Sequence, residues 1–125
     1  MKMLLASAVC VSLLVAGTAI AQDKKGKAPE RSQKVLIEND RVRVTETTYP
    51  PGGATVQPTQ PGYRITRVLS GGTLERTHGD GKKETLNYKT GDVLELQAAK
   101  APYHVRNTGK SAVVLYSVTL KAPKK

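Results

Sequence analysis

The chain has 125 residues, with 20 basic and 10 acidic side chains, five tyrosines and no Phe or Trp. That length accommodates one domain of ordinary size and excludes a large multidomain enzyme. The only cysteine is Cys10, so from Gln22 onward neither a disulfide nor a thiol nucleophile is available.

Residues 1–21 have the pattern of a secretory signal. Lys2 is the sole charge, an apolar run extends from Met3 to Ala16, and Ala19-Ile20-Ala21 forms a small-x-small cleavage site before Gln22. Val9 stands where a lipidated cysteine would need a small residue before it. The apolar run is shorter than the ~20 residues that span a bilayer, and no later stretch is longer. The expectation is cleavage after Ala21, a periplasmic or secreted destination, and no transmembrane segment in the mature chain. Residues 22–34, with five basic and two acidic side chains, read as a flexible basic linker, and residues 121–125, with three lysines, as a basic tail. These ends hold most of the positive excess, the pattern of solvated, solubilising segments. Nucleic acid is excluded as a partner, because the segment between them has no basic stripe interleaved with stacking aromatics.

Residues 35–120 read as a succession of short strands. Val35–Glu38 is apolar and β-branched, and Asn39-Asp40 turns it into Arg41–Tyr49, where Val42 and Val44 alternate with Arg41, Arg43 and Thr45. Pro50-Pro51-Gly52-Gly53 breaks the sheet. The stretch 56–62 holds Pro58 and Pro61 and qualifies at best as an edge strand. Tyr63–Ser70 is a strong strand, with Gly71-Gly72 read as a hairpin turn into Thr73–His78. Gly79-Asp80-Gly81 then leads to Glu84–Lys89, and Thr90-Gly91-Asp92 to Val93–Gln97. Tyr103–Asn107 is a short strand, Thr108-Gly109-Lys110 a turn, and Ala112–Leu120 the last and most apolar strand. No mature segment shows a helical stripe. About eight strands with turns at this spacing predict an all-β sandwich or barrel.

Four motifs in order, Pro50-Pro51-Gly52-Gly53, Val68-Leu69-Ser70-Gly71-Gly72, Gly91-Asp92-Val93 and Asn107-Thr108-Gly109, resemble the small single-domain cupins. The opening Glu38-Asn39-Asp40-Arg41-Val42-Arg43-Val44 is also similar to the first strands of exported cupins of this size. The resemblance implies a jelly-roll barrel, or double-stranded β-helix, of about eight strands over residues 35–120. It also makes a homodimer plausible, since such barrels often pair through their sheets.

Cupins usually hold a divalent metal with three histidines and a glutamate, whose lone pairs suit such an ion while leaving positions open for substrate. Carried over by the family spacing, the glutamate position falls on Arg64, the first two histidine positions on Gln57 and Thr59, and the third histidine on Tyr103. None of these is a good transition-metal ligand, and Arg64 is a fixed cation that repels a metal ion. The expectation is therefore no metal and no other cofactor, with Gln57, Thr59, Arg64 and Tyr103 lining a pocket for a small anionic or hydroxyl-rich ligand. Tyr63 and Tyr88 are further candidates for its wall.

Two enzyme readings stand beside this binding module. One is a metal-independent isomerase, epimerase or lyase with His104 as general base and Tyr103 as its acid partner. The other is a metal enzyme with atypical ligands such as Gln57 and His104. The alternation Tyr103-His104-Val105-Arg106-Asn107 predicts Tyr103 inward and His104 outward. His78, before Gly79-Asp80-Gly81, reads as an exposed turn residue without a partner. Asp92 reads as a turn cap rather than as half of a catalytic pair with Glu95.

Overall fold

A computed structural model describes residues 29–122. The expected leader, residues 22–28 of the linker and residues 123–125 of the tail lie outside the described residues. Within them the chain forms eight strands: β1 (Ser32–Glu38), β2 (Val42–Tyr49), β3 (Arg64–Ser70), β4 (Gly72–His78), β5 (Lys83–Tyr88), β6 (Val93–Leu96), β7 (Tyr103–Asn107) and β8 (Val113–Leu120). All six pairings between these strands are antiparallel. One sheet has the order β1-β2-β8-β3-β6, and the other β5-β4-β7. Residues 56–62 form no strand; Thr59 only bridges Tyr103.

The end of the predicted linker is a strand. Ser32, Gln33 and Lys34 pair with Thr48, Thr47 and Glu46, so β1 starts three residues before Val35. Their composition is that of a loop because an edge strand needs only its backbone ladder, and all seven residues of β1 stay exposed. The start of the tail is fixed too. Lys121 donates its backbone N–H to Arg41 O and its Nζ to Glu38 Oε2, each at 2.9 Å.

Gly71-Gly72 is not a hairpin turn. β3 and β4 belong to different sheets, so the two glycines carry the chain across the corner between them. Neither has positive φ. What the corner demands is space: a Cβ on Gly71 would lie 2.3 Å from Tyr88 O, and one on Gly72 2.8 Å from Val113 Cγ2.

Alternation places side chains as the period of two dictates. Along β3, Thr66 and Val68 are buried while Ile65, Arg67 and Leu69 face out. In β2 the period holds, but it is the polar set Arg43, Thr45, Thr47 and Tyr49 that points between the sheets. The apolar set lies on the outer face. There Val44 is paired with Ile37 and Val118, and Val118 with Ile65, a row of β-branched neighbours that leaves Val44 only 5% exposed. The core between the sheets is built on Tyr49, Leu74, Tyr103, Val105 and Val113.

Candidate functional site

The two sheets enclose a cavity of about 410 Å³ that reaches solvent. The three-stranded sheet supplies an apolar wall with Leu74, Leu86 and Val105. The five-stranded sheet supplies a polar one with Thr45, Thr47, Ser117 and Thr119, where Thr66 and Ser117 share a buried hydroxyl hydrogen bond of 2.7 Å. Arg31, Arg43, Arg64 and Arg76 also line this space, and among the described residues no aspartate or glutamate does. A second pocket, of about 400 Å³, shares Arg64, Arg76 and Tyr103 with the first and adds His78 and Lys100.

Of the four residues expected in the pocket, Thr59, Arg64 and Tyr103 line it. Thr59 is held by two backbone bonds to Tyr103, at 2.8 and 3.0 Å. Gln57 does not join them: it is exposed, in the irregular segment between β2 and β3. The bridge to Tyr103 fixes Thr59 at the cavity, but with no ladder through Pro58 the strand spacing does not extend to Gln57. Tyr88 lines the cavity, whereas Tyr63 lies outside it and donates its hydroxyl to Glu95.

His104 is on the outer face of β7 and exposed, with its Nδ1 3.2 Å from Thr55 Oγ1. It therefore cannot share a substrate with Tyr103, which is buried on the opposite face. The acid–base pair of the isomerase reading is taken apart by the pleat. An atypical ligand set of Gln57 and His104 fares no better, since neither side chain reaches the cavity. Asp92 Oδ2 accepts from Lys89 N, the turn-capping role its position predicts.

Three cavity arginines escape a reading of the sequence by family position. Arg31 lies in the segment read as linker. Arg43 and Arg76 are visible only as members of the inward sets Arg43-Thr45-Thr47-Tyr49 and Leu74-Arg76 once the inner faces are known. Arg76 is the most constrained. Its guanidinium carbon lies 4.5 Å above the Tyr103 ring, Nη1 donates to Glu84 Oε2 at 3.2 Å, and its buried Nε has no hydrogen-bond partner. Arg43 Nε is 3.8 Å from Glu38 Oε1. Arg31 and Arg64 have no carboxylate partner among the described residues; Arg64 Nη1 makes a long 3.4 Å contact with Gly62 O.

Two phenols record this field. Burial pushes Tyr49 above the ordinary value of 10, against the pull of the Arg31 and Arg64 charges. Tyr88 is likewise raised by burial, against Arg76 and Arg64. Both stay protonated at neutral pH and so offer O–H donors beside the guanidinium groups.

His78 is not an isolated turn residue. It ends β4, donates from Nε2 to Glu84 Oε2 at 3.0 Å, and meets Tyr103 edge-on at 6.1 Å between centroids. The hydrogen bond from His78, then the charges of Arg76 and His78, hold the Glu84 carboxyl below its ordinary 4.5. Its folded value thus lies under its unfolded one. The stability it contributes is present above about pH 4.5 and is lost as pH falls through the folded value. Glu84→Gln is expected to flatten the acid limb of a plot of melting temperature against pH. The step should amount to less than about 1 kcal/mol, because the site is solvent-screened. An acid limb unchanged in the variant would remove Glu84 from this role.

The divalent metal typical of this fold has no fitting donor set here. Among the described residues no three His, Cys, Asp or Glu side chains come together. The cavity offers hydroxyls, phenols and guanidinium groups, and the last repel a cation.

The architecture, two antiparallel sheets closed into a double-stranded β-helix around a central cavity, is the cupin fold. The chain is similar to a cupin domain from Bordetella pertussis Tohama I, with 26% identity over 77% of this chain and 98% of that one, at a TM-score of 0.68. It is similar to a cupin superfamily protein from Desulfitobacterium hafniense DCB-2, with 20% identity over 91% and 100% of the two chains and a TM-score of 0.53. A Cupin 2 conserved barrel domain protein from Salinispora arenicola CNS-205 matches at 17% identity over 87% and 92%, with a TM-score of 0.53. No family model and no curated protein matches the chain.

Proposed function

We propose that this cupin-fold chain is an exported, metal-free binding module that holds a small anionic or hydroxyl-bearing molecule between its sheets. One observation carries the reading: four arginines line one cavity, no aspartate or glutamate among the described residues lines it, and two of the four, Arg31 and Arg64, have no carboxylate partner among those residues. Guanidinium forks match carboxylate and phosphate oxygens, and the neighbouring threonine and tyrosine hydroxyls suit the polar edges of such a ligand. Export rests on the leader pattern of residues 1–21.

The test is titration calorimetry of the mature protein, freed of divalent ions, with small carboxylates and phosphate at low salt. Binding is expected, weakened at least about tenfold in Arg64→Ala, since a hydrogen bond to a charged group contributes ~1.5–3 kcal/mol. Equal affinity in that variant would dispose of the pocket reading.

A further inference from the structure

The four cavity arginines are not equivalent. Arg43 and Arg76 each have a carboxylate at the rim, Glu38 and Glu84. Arg31 and Arg64 have none among the described residues. Among the described residues, two positive charges are therefore left for a ligand to neutralise.

Those two charges are rooted far apart. Arg31 immediately precedes β1, and Arg64 opens β3. The sheet order β1-β2-β8-β3 puts three strand intervals between them, about 14 Å across the sheet at ~4.8 Å each. The register adds a further offset along the strands: Arg64 lies level with the Glu38 end of β1, through Thr119 and Arg43, whereas Arg31 lies at its Ser32 end. Both side chains line the same cavity, and both charges act on the Tyr49 phenol that lines it with them. The guanidinium groups thus approach a shared space from opposite sides. Facing them is the apolar wall of Leu74, Leu86 and Val105.

We infer that the ligand class is a small dicarboxylate with a hydrocarbon body, one carboxylate on Arg31 and the other on Arg64. This rests on the anion-binding reading above and sharpens it. A monoanion leaves one guanidinium without a partner. A phosphate monoester has both charges at one end and engages only one of two separated cations. The aliphatic segment of a dicarboxylate lies against the leucine and valine wall, where burial of each methylene contributes ~0.8 kcal/mol.

The experiment compares three probes on the wild-type protein by calorimetry near neutral pH: adipate, its monomethyl ester and phenyl phosphate. Adipate is expected to bind at least about tenfold more tightly than the ester, and Arg31→Gln or Arg64→Gln to erase that advantage. Retention of the wild-type melting temperature shows that either variant is folded. An ester as tight as adipate overturns the two-point site while leaving anion binding intact, as does preference for phenyl phosphate. No binding by any probe removes the anion-binding reading itself. The ester comparison needs no variant, so loss of folding in Arg31→Gln or Arg64→Gln leaves a decisive result.

Discussion

Asn107→Ala is expected to lower the stability of the protein by about 3–4 kcal/mol, and so its melting temperature by more than ~10 °C. Asn107 is fully buried, yet its amide is fully used. Nδ2 donates to Tyr49 O and to Ser111 O, and Oδ1 accepts from Gly109 N, each at 2.8 Å. Its backbone adds bonds to the Pro50–Gly53 turn, accepting from Gly52 N at 3.0 Å and donating to Gly53 O at 2.8 Å. Truncation leaves Tyr49 O without its partner in a buried position and takes one part-buried bond each from Ser111 O and Gly109 N, so the desolvation cost of the Tyr49 carbonyl adds to the three lost bonds. Asn107→Asp keeps the acceptor for Gly109 but presents oxygen to two carbonyl oxygens and buries a charge, so it should destabilise at least as strongly. Thermal unfolding of both variants decides the matter; a shift of only a few degrees in Asn107→Ala would mean that this node does not organise the end of the barrel. Because Tyr49 contributes its phenol to the cavity, the same node sets where that donor stands.

Asn107 also marks how much could be read from the chain. The motif Asn107-Thr108-Gly109 is visible through its resemblance to the family pattern, and Tyr103–Asn107 forms a strand with the predicted boundaries and faces. The strands are legible generally, since the period of two is a local property of the pleat. Sheet membership is not local. Gly71-Gly72 has the composition of a hairpin, and only the pairing of β3 with β8 and β6, and of β4 with β5 and β7, reveals a corner. The inner face of β2 is hidden for a related reason. Hydrophobicity marks Val42 and Val44, and Val44 is buried, but on the outer face of the sheet; it is Arg43, Thr45 and Thr47 that face the cavity. Arg64 and Tyr103 are found by family position because both lie on strands, and Thr59 because its backbone bridge to Tyr103 fixes it at the cavity, whereas Gln57, in the same loop, is exposed and outside the cavity lining. Arg31 is missed because edge pairing leaves no compositional trace.

The corner glycine gives the other large effect. Gly71→Ala is expected to cost about 3 kcal/mol or more, roughly 12–24 °C in melting temperature, and to weaken anion binding with it. The added methyl would sit 2.3 Å from Tyr88 O, 2.8 Å from Thr90 N and 3.0 Å from Lys89 C. All three are backbone atoms, so no side chain can swing away; the corner itself has to open. Opening it breaks the Gly71 N–H bond to Thr90 Oγ1, now 2.8 Å, and displaces Tyr88, whose ring lines the cavity beside Arg76 and Arg64. Gly79→Ala is the matched control. Nothing lies within 4 Å of its Cβ and its φ is not positive, so both melting temperature and affinity should stay at the wild-type values. If Gly71→Ala melts like Gly79→Ala, the corner yields cheaply and close packing there does not hold the two sheets at the spacing the cavity requires. If it melts early but keeps full affinity, Tyr88 is not coupled to the corner, and the donors for the ligand lie wholly on the arginine side.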